Sequence, residues 1–117
     1  MEDFIINISI PAFICGVAFL SMGLVIYYNP PKDINGFIGY RTGASMKSQE
    51  QWDFAQRYCA VLTIKSAIAM LAVSLLCYFI PVDPAIKQFV GTILLIVCAA
   101  FLITATERAI KKRFNLQ

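Results

Sequence analysis

Residues able to recognise an anion concentrate in one stretch of this chain, Gly36-Phe37-Ile38-Gly39-Tyr40-Arg41-Thr42. Glycines let backbone N–H groups approach an anion closely, and an arginine guanidinium can clasp a phosphate or carboxylate through two parallel hydrogen bonds. Tyr40 and Thr42 flank Arg41 and add hydroxyls. A lipid headgroup, a nucleotide or a charged peptide end would suit such a turn. The spacing matches neither a Walker loop nor a dinucleotide fingerprint. The plainer alternative, an interfacial turn whose arginine touches lipid phosphates without selectivity, stays open beside the specific one.

Catalytic and metal chemistry have weaker support. The chain contains no histidine. Asp33, Ser45, Glu50, Asp53 and Glu107 are the remaining candidates, but they form neither a paired-carboxylate spacing nor a nucleophile elbow. Glu107 also has a simple helical partner in Lys111, four residues on. Cys15, Cys59, Cys77 and Cys98 include no CxxC pair, and they lie in or beside apolar runs, where cysteine packs as a small apolar residue. The expectation is a protein that is not an enzyme, with no catalytic residues, no cofactor and no metal.

The elements that must carry the glycine-arginine stretch are set by composition. Of 117 residues, 59% are apolar and 15% charged, against about 45–50% and about 25% in ordinary soluble domains. A chain this short has too much surface to hide so many apolar side chains from water. Three runs long enough for a bilayer of about 20 helical residues follow. The expected architecture is all-α, one membrane domain over 1–117, with spans at about 4–28, 58–82 and 89–106. A structured loop at 29–57 joins the first two spans, residues 83–88 form a tight hairpin between the second and third, and a basic tail occupies 107–117. The first run lacks the basic flank of a cleavable signal and reads as a retained span. Pro11 either kinks it or marks where its regular helix begins.

Lysine and arginine set the expected direction. None precedes the first span. The first loop carries Lys32, Arg41, Lys47 and Arg57, the second only Lys87, and the tail Arg108, Lys111, Lys112 and Arg113. By the positive-inside bias the N-terminus lies outside, with the long loop and the tail cytoplasmic. The tail reads as a binder of anionic lipid rather than of nucleic acid.

Small residues recur every seven positions: Ser9, Gly16 and Gly23 in the first span, Ala60, Ala67 and Ser74 in the second, Gly91, Cys98 and Ala105 in the third. Thr63 and Cys77 fill the intermediate seam of the second span. Such stripes let membrane helices approach closely, and they carry too few polar atoms for a hydrophilic pore. In the loop, the first half is rich in turn residues. Ser48 with Gln51 forms a capping-box pattern that opens a helix running into the second span. Trp52, Ala55 and Cys59 share one face of it, and Trp52 and Tyr58 fall where an aromatic belt is expected.

The run Asn35-Gly36-Phe37-Ile38-Gly39-Tyr40-Arg41-Thr42, followed by Ser45-Met46, Glu50 and Trp52, resembles the signature loop of the SdpI family. That family takes its name from a bacterial immunity protein against the sporulation-delaying toxic peptide. The resemblance implies a three-span module of the bacterial cytoplasmic membrane and protection against a membrane-active peptide toxin or bacteriocin. It implies binding residues at Asn35, Gly36, Gly39, Tyr40, Arg41, Thr42, Ser45 and Trp52. The named member also draws a transcriptional repressor to the membrane, and longer members carry additional spans before this module. The expected partners are the lipid bilayer, a peptide toxin and a soluble repressor, with a second copy of the chain as a further candidate. A regulatory adaptor whose loop holds a soluble protein, and a lipid-headgroup enzyme, are the competing readings.

Overall fold

A computed structural model describes residues 2–36 and 39–115. Phe37 and Ile38, part of the glycine-arginine stretch, lie outside the described residues. Four helices follow one another: α1 (Glu2–Asn7), α2 (Ile10–Tyr28), α3 (Gln49–Cys77) and α4 (Pro84–Arg113). The described residues include three helices long and apolar enough to cross a membrane, α2, α3 and α4.

Helix length decides where the loop can sit. At about 1.5 Å per residue α2 is about 28 Å long, near the thickness of a hydrocarbon core, whereas α3 and α4 reach about 45 Å. The surplus is shared between the two ends: Ser9 lies against Ser74, Gly23 against Ala60 and Gly91 against Ser9, so α3 and α4 each overrun α2 by about one or two turns on the loop side. The first turns of α3 and the last turn of α4 stand beyond the end of α2, and the described loop residues, 29–36 and 39–48, pack against them and beside the last turns of α2.

Helices α2 and α3 pack antiparallel along their small-residue stripes. Ser74 Oγ donates to the Ser9 carbonyl at 2.7 Å. A Cβ added to Gly16 would lie 3.4 Å from the Ala67 carbonyl oxygen, and one on Gly23 would lie 3.3 Å from that of Ala60. All six residues are buried. The outer faces stay apolar and exposed, as Ile14, Val25, Leu75 and Phe89 show.

On α4 the seven-residue stripe holds at Gly91, whose added Cβ would overlap Ser9 Oγ and come within 3.2 Å of Ala12 N. Lower down it drifts. Leu102, Thr106 and Ile110 are buried, while Cys98 and Ala105 are only half-buried. A straight helix turns every 3.6 residues, so a strict repeat of seven slips by about 20° each time.

Three boundaries differ from the expected ones. The first run is not one helix: it breaks at Ile8–Ser9 between α1 and α2. Pro11 is the cause, because its ring would clash with the carbonyl of Asn7 and it has no N–H to donate. Backbone groups freed inside a membrane must be met by protein, and Gln88 meets two of them. Its Oε1 accepts from Ile10 N–H at 2.8 Å and its Nε2 donates to the Ile8 carbonyl at 2.9 Å.

The second apolar run leaves helix at Cys77 rather than continuing to residue 82, and α4 starts at Pro84, so the connection is 78–83. Asp83 caps α4 by accepting from Ala85 N–H at 2.9 Å. Lys87, expected in that connection, sits instead near the start of α4. It is 2% exposed, with its ammonium donating to Asn7 Oδ1 at 3.3 Å.

Candidate functional site

The loop is fastened to the projecting turns of α3 by side chains spaced three and four apart. Gln49 Nε2 donates to the Lys32 carbonyl and, at 2.8 Å, to Asp53 Oδ1. Trp52 is wholly buried and its indole N–H donates to the Pro31 carbonyl at 2.7 Å. This corrects the aromatic-belt reading of Trp52: the ring is covered by loop, because α3 outruns α2 and Pro30-Pro31 folds back over the exposed face. Ser48 opens α3 by accepting from Gln51 N–H at 3.1 Å. The reciprocal half of a capping box is altered. Gln51 Oε1 takes the Ser48 hydroxyl, and Gln51 Nε2 reaches back to the Ala44 carbonyl at 2.7 Å.

Gln56 makes the central attachment. Its Oε1 accepts from Tyr40 N–H and its Nε2 donates to the Tyr40 carbonyl, each at 2.7 Å. Both backbone groups of Tyr40 are thereby paired, as a neighbouring strand would pair them. Gly39 makes room for this. Its φ is +104°, a region side chains rarely adopt, and an added Cβ would overlap Gln56 Oε1.

Beyond Tyr40 the chain forms a tight turn around Ser45, which is wholly buried. Ser45 Oγ accepts from Thr42 N–H at 2.8 Å and lies 3.1 Å from the Tyr40 carbonyl. Thr42 Oγ1 in turn accepts from Ser45 N–H at 3.2 Å. These crossed bonds between hydroxyls and backbone close the loop on itself.

The Tyr40 hydroxyl reaches the third long helix. It donates to Glu107 Oε1 at 2.7 Å and lies 3.3 Å from the Ile103 carbonyl. Burial, then the hydrogen bond to Glu107 and its negative charge, push the phenol well above its ordinary value. Glu107 is thus a tertiary partner of the loop, a role its helical spacing to Lys111 did not reveal.

The predicted residues divide into two groups. Gly39, Tyr40, Thr42, Ser45 and Trp52 come together and face inward, where they build and anchor the loop. Arg41 and Gly36 face solvent, with the guanidinium of Arg41 donating to the Gly36 carbonyl. Asn35 is half-buried beside them, its Nδ2 donating to the Asp33 carbonyl at 3.0 Å. An added Cβ at Gly36 or Gly43 meets nothing within 4 Å, so neither glycine is required for room.

Gln56 and Glu107 were missed as site residues. For Gln56 a signal existed: it lies four residues after Trp52, on the same packed side of α3, where a polar side chain needs a partner. For Glu107 none existed, since its partner lies 67 residues away.

Among the described residues no group of three or more His, Cys, Asp or Glu could hold a metal ion. A small cavity of about 160 Å³ lies under the loop, bounded by Gly39, Tyr40, Gln56 and the α2–α3 seam at Gly23, Cys59 and Thr63.

Comparison with known proteins places this geometry in a family. YfhL of Bacillus subtilis (strain 168), described as uncharacterised, is 44% identical over 54 residues, covering 46% of this chain and 49% of YfhL. The chain thus matches about half the length of that relative. No solved structure matches. The family model described as SdpI/YfhL protein family matches residues 32–106. That match takes in the loop, α3 and most of α4, and this membrane protein belongs to the SdpI/YfhL family.

Proposed function

We propose that this protein protects a bacterial cell against a membrane-active peptide toxin or bacteriocin, acting by binding rather than catalysis. It would engage the toxin, or the lipid or membrane target the toxin exploits. The observation that supports this reading is the division within the loop. Its inward residues fasten it to α3 and α4, and that rigid base presents the planar, five-donor guanidinium of Arg41 to solvent. Such a platform suits recognition of a carboxylate or phosphate, which a toxin peptide or a phospholipid would supply.

The test is expression in a sensitive bacterium challenged with a panel of membrane-active peptides, with survival compared to an empty vector at equal growth rate. Protection against at least one peptide is the expected result. Uniform sensitivity at verified membrane expression would remove the proposal. The orientation we propose, N-terminus outside and loop and tail cytoplasmic, rests on the lysine and arginine asymmetry. In a variant lacking native cysteines, a single cysteine at Asp83 should label in intact cells and one at Gly43 only after permeabilisation.

A soluble partner such as a repressor is the second reading, favoured by the same exposed edge at Gly36 and Arg41 on projecting helix ends. Co-purification of a soluble protein with wild type and its loss in Arg41→Ala, without any protection phenotype, would support it instead.

A further inference from the structure

The ends of α3 and α4 that project beside the loop form a second surface, away from Arg41. Phe54 and Tyr58 stack on α3 with ring centroids 5.6 Å apart, and Phe114 closes edge-on to Phe54 at 5.9 Å. This aromatic wall separates two adjoining grooves. The larger, about 890 Å³, is bordered by Arg57, Lys65 and Arg113 and floored by Val61 and Leu62. Glu50 and Asp53 stand at its loop-side end. The smaller, about 650 Å³, is bordered by Arg108, Lys112 and Arg113, with no carboxylate among its lining residues. Each is large enough for a phospholipid headgroup by the usual size of small-molecule sites, about 300–1,000 Å³.

We infer that these grooves form a binding site for an anionic phospholipid of the adjacent leaflet. The arrangement has the polarity of such a lipid. Aliphatic Val61 and Leu62 lie along α3 on the membrane side of Arg57, where an acyl chain runs, and the cations ring the end where a phosphate sits. Lys65, about two turns deeper than Arg57 by helical rise, reaches back to the headgroup on its long aliphatic stem. Arg113 borders both grooves, so it can clasp phosphate oxygens from either side of the Phe54–Tyr58 wall. Phe54 and Phe114 shield the headgroup from water and so strengthen its pairing with the arginines. Charge complementarity selects the occupant: five cations border the two grooves against two carboxylates, both at one end.

The helix supplies an internal control. Lys111 lies between Arg108 and Arg113 in sequence and carries the same charge as the lining cations, but it borders neither groove. A general electrostatic attraction of the tail to lipid treats Lys111 and Arg113 alike. A built site does not.

The experiment is native mass spectrometry of the full chain released from micelles containing phosphatidylglycerol, cardiolipin or phosphatidylcholine at equal concentration, with inorganic phosphate in a fourth arm. Wild type should retain an anionic-lipid adduct at least fivefold more than a phosphatidylcholine adduct. Arg113→Gln should lower retention at least fivefold, and Lys111→Gln should leave it within twofold. Equal losses in the two variants, or equal retention of phosphatidylcholine, overturn the proposal. Retention of inorganic phosphate at the level of lipid overturns it as well, because the acyl floor would then contribute nothing. Far-ultraviolet circular dichroism of both variants verifies that they remain folded, and Arg57→Gln, which alters the larger groove alone, should give an intermediate loss.

Discussion

The side-chain amide of Gln56 closes on both backbone groups of Tyr40, accepting from its N–H and donating to its carbonyl at 2.7 Å each. The Tyr40 carbonyl keeps a second partner in Ser45 Oγ, so the N–H is the group that depends on Gln56. Gln56→Leu should cost about 1–3 kcal/mol, the penalty for a buried donor left unmade. Gln56→Glu should cost more, because it buries a charge and turns an oxygen toward the Tyr40 carbonyl. Limited proteolysis in mild detergent should show faster cleavage between residues 32 and 47 in both variants. Cleavage at the wild-type rate would show that the loop is held by something else.

The glycines of the helix seams should rank by what their missing Cβ would meet. At Gly16 the close neighbours are Leu71 side-chain atoms at 2.8 and 2.9 Å, which can move. At Gly23 the backbone nitrogen of Ile64 lies at 3.2 Å and the Ala60 carbonyl at 3.3 Å, which cannot move without shifting α3. At Gly91 the Cβ would also fall 3.1 Å from Ser9 Cβ, beyond its overlap with the hydroxyl. Thermal unfolding in detergent should therefore give Gly16→Ala near wild type, since alanine regains up to about 1 kcal/mol of helix propensity. Gly23→Ala and Gly91→Ala should be destabilised by about 1–3 kcal/mol. Leu75→Ile, on an exposed face, should be mild. Equal melting temperatures for all four would remove these seams as the packing interface.

Tyr40 should make the protein sensitive to alkali. Its phenol is raised above the ordinary value of about 10 by burial and by Glu107. A group raised on folding adds stability that is complete below its unfolded value and lost as pH climbs above it. Wild type should lose stability between about pH 9.5 and 11 more steeply than Tyr40→Phe, which has no phenol to ionise. At pH 7 the order reverses: Tyr40→Phe should be the less stable by about 1–2 kcal/mol for the lost bond to a carboxylate. Parallel unfolding curves across that range would contradict the Tyr40–Glu107 bond.

Arg41 separates specific recognition from simple topology. Lysine keeps the positive charge but not the planar fork. At matched membrane levels, Arg41→Lys should lose protective activity at least tenfold in the toxin concentration tolerated, and Arg41→Ala should be no worse. A fully active lysine variant would leave Arg41 as a topological charge in an interfacial turn.

Much of this molecule follows from its sequence because the physics involved is local or periodic. Uncharged runs of helical length dictate spanning helices, and small residues seven apart dictate which faces of α2 and α3 meet, as Ser9 with Ser74, Gly16 with Ala67 and Gly23 with Ala60 show. Ser48 and Gln51 mark the start of α3, and the Asn35-to-Trp52 run marks the family. Tertiary structure decided what depends on distance through space. Pro11 shows that a break is due near it, but only the fold brings Gln88 to the freed groups of Ile8 and Ile10. The positions of Trp52 and Tyr58 suit an interfacial belt, and only the folding of the loop back onto α3 and α4 turns Trp52 inward and sets Tyr40 against Glu107. No spacing rule carries that information, because each of these pairs joins different helices or a helix and a loop, and their separation is set by how the helices stack and where the loop folds back on them.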